Sequence, residues 1–113
     1  MSVFNGMFPI LPGKEDAARS FAKEVSGPRR AEFTEALARR SVRRETWSIL
    51  TTPMGSFMNV WFEGDVEGAF SDLATDQDEH TVWFRQQILD VTGVDMSAAN
   101  DSTPPELVLD VSP

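Results

Sequence analysis

Two runs rich in β-branched and aromatic residues, 41–51 (SVRRETWSILT) and 56–63 (SFMNVWFE), flank the turn-forming sequence Thr52-Pro53-Met54-Gly55. Such residues favour extended backbone, and Pro and Gly between them favour a reversal, so the pair predicts a β-hairpin. Successive side chains of a strand point to opposite faces, which sends Met58, Val60 and Phe62 one way and Phe57, Asn59 and Trp61 the other. Both sets are bulky and mostly apolar. A sheet built on this strand therefore needs cover on both faces, and that requirement constrains the rest of the chain.

Residues 3–10 (VFNGMFPI) read as a first strand that breaks at Pro12-Gly13. Ala17, Ala18, Phe21, Ala22 and Val25 then recur at helical spacing over residues 14–25, and Ser26-Gly27-Pro28 ends that helix. A second helical piece carries Phe33, Ala36 and Leu37 up to Arg40, with Pro28 suited to its first turn. After the hairpin, Asp65 is placed to cap a helix with Val66, Ala69, Phe70 and Leu73 on one face. A further helix starts near Asp76, three residues before Glu79 as in a capping box. It runs to Thr92-Gly93 with His80, Phe84, Ile88 and Val91 along one stripe and Trp83 beside it. Residues 97–105 (SAANDSTPP) read as a loop and residues 106–112 (ELVLDVS) as a terminal strand.

The order is strand, broken helix, strand, strand, broken helix, strand. The handedness of crossover connections turns this into an α+β fold of the ferredoxin-like, split βαβ kind, a four-stranded antiparallel sheet with helices on one face. The 113 residues fit one such domain and one core. The other sheet face is left open, and a second copy of the sheet is its simplest cover, which predicts a homodimer.

Composition narrows the function classes. The absence of Cys removes disulfides, thiolate nucleophiles and Cys-bound metals, and makes a cytoplasmic setting the default expectation. With a single His as well, a dedicated zinc site is not expected, nor is any other metal or cofactor; no glycine-rich phosphate loop or nucleophile elbow is present. No apolar run is long enough to span a bilayer, and the N-terminus has no basic leader, so no membrane partner is expected. The net charge of −8 argues against nucleic acid. Charge is also unevenly spread, with a local +4 over residues 29–44 and −11 over residues 63–113. Arg29 and Arg30, near a helix start, can either hold an anion or pair with Glu32, Glu35 and the acidic second half.

Pro12-Gly13-Lys14 before the first helix, Arg29-Arg30, Glu45-x-Trp47, Glu79-His80 with Trp83-Phe84, and the apolar terminal run together resemble small uncharacterised proteins of the dimeric α+β barrel class. These are distant relatives of antibiotic-biosynthesis-type monooxygenases, and the resemblance covers about residues 3–112. The class also includes haem-degrading enzymes and small-ligand or stress-response proteins. The resemblance implies a dimeric α+β barrel with a pocket between sheet and helices in each subunit, and leaves the chemistry open because one fold hosts many sites.

Five residues are candidates for that pocket. His80 is the only imidazole and the candidate catalytic base; the helix N-terminus disfavours its charged form while Asp76, Asp78 and Glu79 favour it. Glu45 and Trp47 share one face of the second strand, Asn59 and Trp61 one face of the third. If the hairpin register joins these faces, they form a wall suited to a small aromatic ligand; otherwise they are interface packing. Three functions follow as expectations: a homodimeric small-molecule binding protein, a cofactor-independent monooxygenase of aromatic substrates, or a structural and interaction module.

Overall fold

The computed structural model describes residues 2–101 and 105–113. Its elements are β1 (Ser2–Ile10), α1 (Glu15–Ser26), α2 (Arg30–Arg39), β2 (Val42–Thr52), β3 (Gly55–Gly64), α3 (Val66–Thr75) and α4 (Glu79–Thr92), then a 3-10 turn at Met96–Asp101. The fold is α+β, and the predicted hairpin is β2–β3. β1 pairs antiparallel with β3 on its other side, giving a three-stranded sheet in the order β1-β3-β2.

The helices cover one sheet face. Phe4, Val42 and Phe62 from the strands pack with Ala69 of α3, while Ile10 and Met58 pack with Ala18 of α1 and Val91 of α4. The predicted helical stripes point inward: Phe21 and Val25 of α1, Leu73 of α3 and Phe84 of α4 join Met96 in the third part of the core. Asp65 caps α3 by accepting a hydrogen bond from the Gly68 N–H, and Gly93 ends α4 in the left-handed conformation at φ 75°.

Three sequence expectations change. The fourth strand is not formed among the described residues: 105–113 carry no regular structure, and Leu107 and Val108 are 77% and 83% exposed. A β-rich run becomes a strand only when it lies against a neighbour to bond, and among the described residues this one is bonded to none. The loop 97–105 is in part the 3-10 turn, with 102–104 outside the described residues. The cap of α4 is Asp78, which accepts from the Thr81 N–H; Asp76 instead ends α3 and accepts from the Asp78 N–H.

The register decides which hairpin residues face the helices. Trp47 lies opposite Val60 and Glu45 opposite Phe62, whereas Asn59 lies opposite Ser48 and Trp61 opposite Thr46. A register shift between Val42 and Arg44 adds one residue to β2, so that Val42 and Glu45 both face inward despite their odd separation. Next to it the backbones crowd together. A Cβ on Gly64 would stand 2.3 Å from the Ser41 carbonyl oxygen, so only glycine fits there.

Candidate functional site

The sheet and helices enclose a cavity of about 90 Å³. Its floor comes from alternate residues of the strands, among them Phe8, Met58 and Val60, and its walls from Phe21, Phe33 and Phe84 of the helices. Trp47 stands in the middle of the aromatic wall, its ring centroid 5.1 Å from Phe21, 5.8 Å from Phe84 and 6.1 Å from Phe33. Tilted and edge-on contacts of this kind hold rings rigidly and present a defined apolar surface.

Few polar side chains enter this wall: Glu45, Arg40, Thr92 and the indole of Trp47. Trp47 donates its indole N–H to Glu45 Oε2 at 2.6 Å. Burial pushes the Glu45 carboxyl above its usual range, while the Trp47 hydrogen bond and the more distant Arg40 charge oppose that rise. Arg40 is only 7% exposed. One terminal nitrogen donates to the Thr81 hydroxyl at 2.8 Å, but Nε has no partner. Burial, and next the neighbouring Arg39, work against its charge; Asp76, Asp72 and Asp78 partly offset them.

The five sequence candidates divide between two faces. Glu45 and Trp47 are in the cavity wall. Asn59 and Trp61 are on the opposite, outer face of the sheet, so the single wall expected from a shared face does not form. The reason is the register, which aligns Trp47 with Val60 rather than with Trp61. Asn59 Oδ1 is nevertheless shielded and unpartnered, on a face where Val3, Met7 and Leu50 are exposed.

His80 is buried as its helical stripe predicts, yet it is not among the residues that line the cavity. Its ring packs 6.3 Å from Phe33 and 5.8 Å from Phe84, two residues that do. Nδ1 is 3.3 Å from Glu32 Oε2, close enough for attraction but without the alignment of a hydrogen bond. Burial lowers the imidazole pKa more than Glu32 raises it, which favours the neutral ring. No family model, curated protein or solved structure matches this chain.

Three arginines of the arginine-rich segment, Arg29, Arg39 and Arg43, are paired with carboxylates. Arg29 lies 3.2 Å from Glu32 and stacks 4.0 Å over the Trp83 ring, and Arg39 lies 3.3 Å from both Glu35 and Asp78. These contacts leave Arg29 engaged with carboxylates rather than open to an external anion. Exposed pairs of this kind contribute about 0–1 kcal/mol each. Among the described residues no group of three or more His, Cys, Asp or Glu is arranged to hold a metal, and no helix is long and apolar enough to cross a membrane.

The sequence reading missed Arg40, counting it only as part of a charged run. The signal was present: Arg40 follows Phe33 by seven residues and Leu37 by three, which continues the apolar stripe of α2.

Proposed function

We propose that this chain is a homodimeric small-molecule binding protein whose ligand occupies the cavity between sheet and helices. The observation that carries the reading is an apolar interior cavity with a buried guanidinium and a half-buried carboxyl in its wall. Ligand sites are typically apolar enclosures with a few polar groups that fix orientation, whereas a core with no ligand to hold is packed to the density of an organic crystal. A solid core would have favoured the structural-module reading instead. The oxygenase reading relied on His80 as base at the pocket wall, and the ring's position behind Phe33 and Phe84 gives it less support.

The four-stranded ferredoxin-like sheet and the dimeric α+β barrel belong to the same proposal. A second copy covers the outer face that exposes Val3, Met7 and Leu50. Residues 106–112 supply the fourth strand along the free edge of β1, which withdraws Leu107, Val108, Leu109 and Val111 from water.

Fluorescence of Trp47 in a variant with Trp61→Phe and Trp83→Phe tests the cavity. Titration with small aromatic compounds is expected to give a saturable change. Val60→Phe, which fills the floor, is expected to abolish it while circular dichroism stays native. A flat response across the whole series would sink the reading.

A further inference from the structure

We infer that the ligand of this cavity is a small aromatic acid, with its ring against Trp47 and Phe84 and its carboxylate held by Arg40. The inference rests on the binding reading above and deepens it.

The buried guanidinium is under-satisfied. Arg40 is 7% exposed, makes one side-chain hydrogen bond, to Thr81, and leaves Nε without an acceptor. Among the described residues no carboxylate lies within 4.0 Å of it, in contrast to Arg29, Arg39 and Arg43, which all have acidic partners. A guanidinium carries five N–H donors in a planar fork that matches a carboxylate, and a buried charge without a counter-ion is unfavourable unless something supplies one. Asp72, Asp76, Asp78 and Glu45 act on its charge only from beyond 4.0 Å, and Arg40 also lines the cavity, where an occupant can meet it directly.

Glu45 is less suited than Arg40 to hold a charged ligand. It is the carboxyl in the cavity wall, and its Oε2 accepts the Trp47 N–H at 2.6 Å. Burial disfavours its charged form, which limits its repulsion of an entering anion. The remaining wall is aromatic and aliphatic, complementary to an apolar ring. A cavity of about 90 Å³ restricts the ligand to a small one.

Calorimetric titration of the full chain at neutral pH with benzoate, toluene, benzyl alcohol and benzylamine tests this. Benzoate is expected to bind at least about tenfold more tightly than the two neutral probes, as a charge-assisted hydrogen bond provides. Benzylamine is expected to bind most weakly. The benzoate preference should disappear in Arg40→Met and survive in part in Arg40→Lys. Neutral probes or benzylamine binding as well as benzoate to the native chain would overturn the inference and leave the cavity reading standing. Absence of binding by all four would overturn both, and the native-chain comparison holds even if Arg40→Met fails to fold.

Discussion

Trp47 and Glu45, two residues apart on the inner face of β2, are joined by a 2.6 Å hydrogen bond from the indole N–H to the carboxylate. The bond holds a carboxyl in an apolar wall and fixes the orientation of the ring around which Phe21, Phe33 and Phe84 assemble. It is local in sequence, but its burial depends on helices that come from both halves of the chain. The resulting environment makes the charge on Glu45 less favourable than it is in water.

Glu45→Gln is expected to raise the melting temperature at neutral pH by about 2–4 °C, since the amide oxygen still accepts the Trp47 N–H and no charge is buried. The folded-state pKa of Glu45 lies above its ordinary value of 4.5. The native carboxyl is therefore most favourable below that value, and its contribution is lost as pH rises through the folded-state pKa. The advantage of the Gln variant should shrink toward zero in acid below pH 4.5. Thermal denaturation across pH checks this, and equal melting temperatures at neutral pH would contradict it.

His80 carries the opposite slope. Its folded-state pKa is lowered from 6.5, so the unfolded chain binds the proton more readily. Stability from the neutral ring is fully present above 6.5 and declines as pH falls through the folded-state pKa. Chemical denaturation of the native chain and of His80→Gln is expected to show this decline only in the native chain. A parallel fall in both would assign the acid sensitivity to other groups. Because the ring lies outside the cavity wall, the same substitution should leave benzoate affinity within about threefold of native, an energy change of under 1 kcal/mol.

Dimerisation through the outer sheet face is expected to give twice the chain mass by light scattering at micromolar concentration. Met7→Lys with Leu50→Lys places like charges on that face and should shift the equilibrium to monomer without loss of secondary structure. Deleting residues 105–113 removes the candidate fourth strand and should weaken association as well. A native chain that stays monomeric at high concentration would rule out the barrel arrangement.

Much of the secondary structure was legible locally. The hairpin followed from two β-rich runs around Pro53 and Gly55, and α1, α3 and α4 from apolar residues at three- and four-residue spacing. These signals depend on the geometry of a few neighbouring residues, which is why they survive in isolation. Half of the candidate site was legible in the same way: alternation puts Glu45 and Trp47 on one face of β2. What alternation cannot supply is the register between strands, and here the pairing of Trp47 with Val60 sent Asn59 and Trp61 to the other side.

The sequence by itself determined the order of elements from β1 to α4, the faces of the helices and the bulk on both sides of β3. The tertiary structure alone decided that Arg40 is enclosed while Arg39 pairs at the surface with Glu35 and Asp78, that His80 stands behind the cavity rather than in its wall, and that residues 106–112 carry no regular structure. Each of these outcomes depends on contacts between segments far apart in sequence. Local propensity is summed over a few residues, but the burial of a charge and the pairing of a strand are settled by whatever the rest of the fold brings alongside.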